Sequence, residues 1–398
     1  MNHHSQRMTG CGRLVVFVLL IAMIALGVWL MRGVFTPAPA GQPHVSGSGV
    51  LVPVVYERSL ESSIHAAAEA FNQQQHGKCN VTLTPMASRQ GMKAILYQNT
   101  QAALWNPADE LWLAKLVKAW KDPKVGKDVS LDVVKETETL FTTRLVLVAW
   151  PDRAGVLRHA MAEPKYRGKT WHLLHDLAHD GWPAAGGPAE WGKLKLVTSH
   201  PLESNSAASS LLLQYLELAQ SQPSLDPYDA SLTDFMRTLY GSVVELTETT
   251  GKAFDAFVGR GAGRADVAIC YEANAAKAAH GGRTDFQVIY PQPTIEARFP
   301  GAVVTANGVT PEMAAGAHEF LQFLRGAEAQ AHAIDDGLRS VRPEQEALVE
   351  KALLSPPLDQ MGFQANPDLI ERAPGASTVD SLVDDWNSKV ARPDDRRD

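Results

Sequence analysis

Ser204, Asn205 and Ser206 stand where a polar turn gives way to a helix, in the stretch Thr198 to Leu218, TSHPLESNSAASSLLLQYLEL. Lys193 to Thr198 alternates polar and apolar residues as a half-buried strand does. Ser and Asn are helix-capping residue types. Behind them Ala208, Leu211, Leu212, Tyr215, Leu216 and Ala219 recur at helical spacing. A helix start carries unpaired N–H groups and partial positive charge. Hydroxyl and amide donors on that turn can bind an anion or a ligand oxygen without a formal cation. The plainer role for one such turn is to cap a core helix. Here the arrangement repeats. Ser59, Ser62 and Ser63 follow a strand at Val50 to Tyr56, and Ser88 opens a helix after a strand at Asn80 to Met86.

Other patterns that invite chemistry do not complete it. Gly259, Gly261 and Gly263 form GRGAG, but a helix precedes it and a strand follows, the reverse of a phosphate loop. It reads as a tight helix-to-strand turn. His172, His175 and His179 lie in WHLLHDLAH without the HExxH glutamate or a third ligand, so no metal site is expected. No GxSxG elbow is present. No nucleophile–base pair stands out, so the chain is not expected to be an enzyme or to need a cofactor. Trp105, Trp112 and Trp191 are the tryptophans open to a stacking role, with core packing as the plainer one.

The elements that position the serine turns alternate in type. Helices are expected at Ile64 to Phe71, from Ser88, and from Asp109 through Trp120. Leu145 to Trp150, LVLVAW, is apolar throughout, as in a strand buried on both faces, and Thr142, Thr143 and Arg144 lie just before it. Helices are expected around 235–244 and 252–258, then a strand at Ala265 to Tyr271. Strands at Phe286 to Tyr290 and Ala302 to Ala306 precede helices at Pro311 to Arg325, Ala327 to Asp336 and Ser377 to Val390. Alternating strands and helices give an α/β class with mostly parallel sheets. In open α/β sheets ligands sit beyond the carboxyl ends of strands, which is where the serine turns are.

The 398 residues suit two lobes plus extras. A net charge of −7 and the lack of a basic stripe exclude nucleic acid as a partner. Leu14 to Met31 is an uncharged apolar run of 18 residues, close to the roughly 20 that span a bilayer. It exceeds the usual signal-peptide core of about 7–15 residues. An uncleaved anchor is expected ahead of a cleaved signal peptide, and both put the rest of the chain outside the cytoplasm. Cys11 precedes that run; Cys79 and Cys270 fit no zinc spacing and are read as two free thiols rather than one disulfide.

Three stretches together resemble the extracellular solute-binding proteins of ABC transporters, nearest to the two-lobed class that takes molybdate, sulfate or phosphate. GKAFDAFVGRGAGRADVAICYEAN is similar to that family's "GxADxxIxYE" segment, with Asp266, Tyr271 and Glu272 in place. HPLESNSAASSLLLQYL resembles its "DP–SNSG–helix" segment, with Ala207 in place of the glycine, and AAGAHEFLQFLRGAEAQAHAIDDGLRSVRP resembles its closing "GxRP" stretch. The resemblance runs from about Val50 to Pro343. It implies a periplasmic-binding-protein-like fold of two α/β lobes joined by two crossover strands, with a ligand closed between them. By that mapping residues 1–32 are a cytoplasmic tip and transmembrane anchor and 33–48 a linker. Lobe one is then 49–145 plus 290–390, lobe two 146–289, and 391–398 a charged tail. The implied function is capture of a small polar or oxyanionic ligand for an ABC permease. Ser59, Ser62, Ser88, Thr143, Ser204, Asn205, Ser206 and Tyr271 are expected to line the cleft. A sensor or assembly partner of another membrane protein is the alternative use of the same fold.

Overall fold

A computed structural model describes residues 49–370 and 375–396. The anchor at Leu14 to Met31, Cys11 and the 33–48 linker lie outside the described residues. No helix among the described residues is long and apolar enough to cross a membrane.

The chain opens with β1 (Val50–Tyr56), a 3₁₀ turn (Arg58–Leu60) and α1 (Glu61–Gln75). Then follow β2 (Cys79–Pro85), α2 (Ser88–Tyr97), β3 (Leu104–Asn106) and α3 (Glu110–Trp120). The long β4 (Val134–Ala149) leads to α4 (Pro151–Ala162) and α5 (Thr170–Asp180). Next come β5 (Leu196–Ser199), α6 (Asn205–Ala219), α7 (Ala230–Gly241), β6 (Val243–Thr247) and α8 (Thr250–Arg260). The chain continues through β7 (Val267–Tyr271), α9 (Glu272–His280), β8 (Gln287–Ile289) and β9 (Glu296–Val304). It ends with α10 (Pro311–Leu324), α11 (Ala327–Asp335), β10 (Arg339–Ser340), α12 (Glu346–Leu353) and α13 (Ala376–Asp385).

The strands form two sheets joined through β4. In sheet A, β1 pairs in parallel with β2 and β3, while β9 and β10 run antiparallel to their neighbours. The first part of β4 pairs antiparallel with β9, from Val134 to Arg144. Its second part pairs antiparallel with β7 and β8, and β5 lies parallel to β6 and β7 in sheet B. This corrects the expectation of mostly parallel sheets. Each lobe has a parallel strand set, but the strand that crosses between lobes must run against both. The fold is mixed α/β and two-lobed.

LVLVA in β4 is fully buried. Leu145 and Leu147 pack in one cluster with Leu211 and Leu212, and Val146 and Val148 in another with Phe254 and Phe257. Alternate side chains thus face opposite layers of helices, as a strand covered on both sides requires. The Leu145 to Trp150 expectation covered only this part. The preceding VKETETLF carries charges and lacks the apolar signal, yet it pairs with β9. Val243 to Thr247, expected at a helix end, is strand β6 beside β5. The GRGAG stretch is the expected turn. α8 ends at Arg260, and Gly261 and Gly263 take φ of +71° and +88°, a left-handed backbone that glycine adopts without strain.

Candidate functional site: the cleft between the two sheets

Six parallel strands of the two sheets deliver their carboxyl ends to one region. On the sheet A side Glu57 and Ser59 follow β1, Ser88 follows β2 and Ala108 follows β3. On the sheet B side Ser204 and Asn205 follow β5, Thr249 to Lys252 follow β6, and Tyr271 closes β7. These residues line one cleft of about 420 Å³, a size that suits a small molecule. Its walls include the starts of α2, α6, α8 and α9, whose first N–H groups have no partner within their helices.

The hydroxyl groups differ in what they have left to give. Ser204, Ser206 and Thr250 form a ring, with oxygen separations of 3.3 Å (Ser204–Ser206), 2.9 Å (Ser204–Thr250) and 2.8 Å (Ser206–Thr250). Ser206 also lies 3.1 Å from the Ser199 hydroxyl. This ring ties the start of α6 to the start of α8 beneath the cleft floor. Ser88 Oγ donates to Glu57 Oε2 at 2.9 Å and accepts from Ala108 N at 2.9 Å. Ser59 Oγ is buried and has no hydrogen-bond partner. It lies on the 3₁₀ turn between β1 and α1, and the residue lines the cleft. A buried hydroxyl left unpaired is costly.

The structure brings Ser59, Ser88, Ser204, Asn205 and Tyr271 to the cleft wall. The other expected residues lie elsewhere. Ser206 is fully buried behind the wall in the hydroxyl ring. Ser62 is exposed in the first turn of α1, because the 3₁₀ turn before it sets the helical phase. Its neighbour Ser63 turns inward and donates to Asp336 at 2.6 Å. Thr143 is buried in β4, where its hydroxyl accepts from Ala273 N at 3.2 Å. None of Trp105, Trp112 and Trp191 lines the cleft. Trp105 and Trp112 pack with the residues around α3, and Trp191 meets Trp182 edge-on with the Arg153 guanidinium 3.7 Å over its ring. No group of His, Cys, Asp or Glu among the described residues is arranged to hold a metal ion.

Sequence reasoning passed over Glu57 and Asp109. Glu57 is buried on the cleft wall, and burial raises its carboxyl above the usual range. Asp109 caps α3 by accepting from Leu111 N at 2.9 Å. Burial pushes its carboxyl up to about 6, against the hydrogen bonds that favour the charged form. Asn205 Nδ2 donates to Asp109 Oδ2 at 3.3 Å and to the Tyr271 hydroxyl at 3.0 Å. Arg89 Nη1 pairs with Glu203 Oε1 at 2.8 Å. Both contacts run from the sheet A side to the start of α6 on the sheet B side. Thr250 and Asn274 were also missed. Their only local signal is position, since each sits on the first turn of a helix after a strand.

Small donors and acceptors from the two sheets converge on one cleft. A family model described as bacterial extracellular solute-binding protein matches residues 52–339. The chain belongs to this family. It is a solute-binding protein whose folded part lies outside the cytoplasm, as the family's description states. Solved structures share the fold. The sulfate-binding protein SubI from Mycobacterium tuberculosis H37Rv matches at 23% identity and TM-score 0.56, over 83% of this chain and 98% of SubI. AfuA from Actinobacillus pleuropneumoniae, solved with fructose-6-phosphate, matches at 14% identity and TM-score 0.58, over 86% of this chain and 99% of AfuA. A periplasmic thiamin binding protein matches at 11% identity and TM-score 0.53, over 87% and 98%. None of the curated proteins matches the sequence.

Proposed function

We propose that this solute-binding protein is held at the membrane by Leu14 to Met31 and captures a small polar ligand in the cleft between its sheets, for delivery to an ABC permease. The observation that carries the reading is Ser59. Its hydroxyl is buried on the cleft wall without a protein partner, and a ligand oxygen there would satisfy it. Ser204, Asn205 and Thr250 meet the ligand from the opposite wall, and Tyr271 and Asn274 hold its edge. Family membership supports the transport role. The solved relatives named above bind sulfate, fructose-6-phosphate or thiamin, each a small polar solute.

The test is a thermal-shift screen of the purified full-length chain against small polar metabolites. A ligand at 100 times its Kd should stabilise the fold by about 2.7 kcal/mol, seen as a higher Tm. Ser59→Ala removes the free hydroxyl and should abolish most of that rise, with the Tm of the free protein little changed. An equal rise in the variant would remove Ser59 from the site.

A further inference from the structure

Asp109, Asn205 and Tyr271 form a line across the seam between the sheets. Asp109 caps α3 and lines a second cavity of about 610 Å³, off the wall of the cleft. Asn205 lines both cavities, and Tyr271 lines the cleft alone. One atom, Asn205 Nδ2, donates to Asp109 Oδ2 at 3.3 Å and to the Tyr271 hydroxyl at 3.0 Å. That spends both of its protons. Asn205 Oδ1 accepts from no donor among the described residues. Tyr271 accepts here, so it keeps its own proton, and no acceptor for that proton is present among the described residues. Burial holds this hydroxyl well above its ordinary pKa, so the proton stays on.

A second arrangement of the same three groups is also complete. An ionised carboxylate only accepts, so Nδ2 must face it; a protonated Asp109 has an O–H to give. With the amide turned over, Oδ1 stands where Nδ2 stood and takes one proton from Asp109 and one from Tyr271. The turn breaks no other hydrogen bond of the amide, and Leu111 N keeps the other Asp109 oxygen in both arrangements. The difference falls on Tyr271. Its proton is free for the cleft in the first arrangement and spent on Asn205 in the second.

We propose that Asp109 is a positioning residue for ligand binding, setting through the Asn205 amide whether Tyr271 offers its hydroxyl proton to the cleft. This assignment rests on the small-polar-ligand reading of the same cleft. Burial pushes the Asp109 carboxyl up to about 6, with Glu110 raising it further and Arg298 lowering it. Glu296, the other charged group in that cavity, is paired with Arg144 and Arg298. The faces of α6 and α13 that close the cavity bring no charge to it. Glu57 is the remaining acid that acts on Tyr271. Among the described residues no histidine lines either cavity. Above about pH 6 Asp109 is ionised and Tyr271 donates to a ligand oxygen; below it that donor is withdrawn.

The first arm of the experiment needs no ligand. The full-length chain, with carbon-13 at Cζ of its tyrosines, is followed by NMR from about pH 5 to about pH 7.5, a range that brackets an Asp109 transition. Tyr271→Phe assigns the signal. The Tyr271 signal should move with a midpoint of about 6. Asp109→Asn keeps a permanent donor towards Asn205 and should hold the signal at its acid position throughout. Asn205→Ala should abolish the movement. A signal that does not move overturns the assignment. So does one that still titrates in Asp109→Asn, which would belong to Glu57, or in Asn205→Ala, which would report the Asp109 charge acting through space. If Asn205→Ala does not fold, the Asn205 Nδ2 protons of the parent decide: the relay shifts both upfield in acid as they lose their partners, and charge alone leaves them bonded.

The second arm is binding. A compound that raises the Tm in the screen and has no titrating group of its own in this range should bind roughly fivefold or more weakly at about pH 5 than at about pH 7.5. In Asp109→Asn it should bind equally weakly at both. Equal affinity in the parent overturns the assignment while leaving the small-ligand cleft in place. A screen without any hit removes the small-ligand reading, and the role of Asp109 in binding with it, whatever the tyrosine signal does.

Discussion

Arg339 and Glu272 are joined by two hydrogen bonds of 2.8 Å each, Nε to Oε1 and Nη2 to Oε2. Both side chains are buried. The pair links β10, laid against β4 in sheet A, to the first residue of α9, which leaves sheet B. Remaining Arg339 donors reach the Gln364 and Ala365 carbonyls, and the Tyr290 hydroxyl donates to Glu272. Such a pair is strongly destabilised when one partner is removed, because the other charge stays buried. Arg339→Met should cost about 3–5 kcal/mol, read from the shift in urea midpoint. Replacing Glu272 as well, by Leu, should recover part of that loss. A single-variant cost below about 1 kcal/mol, the range of exposed pairs, would show that the two groups are solvated.

Asp109 makes stability depend on pH. Its folded pKa lies above the unfolded one, at about 6 against 3.8. Its contribution is therefore fully present below about pH 4 and is lost as pH rises through about 6. The difference is worth about 3 kcal/mol as an order of magnitude. Asp109→Asn keeps an oxygen for Leu111 N and caps a helix about as well. The variant should gain on the parent as pH rises, by up to about 3 kcal/mol above pH 7, and the gap should narrow towards pH 4. Urea unfolding of both proteins across that range measures it. A gap that does not change with pH would mean that Asp109 titrates as an exposed carboxyl does.

Cys79 and Cys270 are free and buried, and burial pushes both thiols up. Native protein should react slowly with a thiol reagent. After denaturation without reductant, peptide mapping should find both residues labelled. Recovery of a Cys79–Cys270 linked peptide would contradict the structure.

Membrane attachment through Leu14 to Met31 is tested by fractionation in a bacterial host. The full chain should stay with membranes through carbonate extraction, and protease supplied from outside should digest its bulk. A soluble form beginning near Gly41 would show that the segment is a cleaved signal instead.

The local alternation of strands and helices, the places where α6 and α2 begin, and the Gly261 and Gly263 turn were legible in the sequence. Each depends on neighbours a few residues apart, through periodicity and backbone freedom. So was the two-lobed family, from the order of three motifs. Tertiary structure decided which serines face the cleft. A single 3₁₀ turn sets the phase that leaves Ser59 on the cleft wall and Ser62 in solvent. It also decided that Ser206 joins Ser204 and Thr250 in a buried ring, because Thr250 arrives from a strand end in another part of the chain. The charged first part of β4 becomes a strand only because β9 pairs with it. Glu57 reads as a turn residue by its neighbours. It joins a buried hydrogen-bonded cluster only when β2 and β3 set Ser88 and Ala108 beside it. Spacing along the chain governs contacts within one turn of helix or one strand, and the polarity of a site built from six strand ends is set by contacts between residues far apart in sequence.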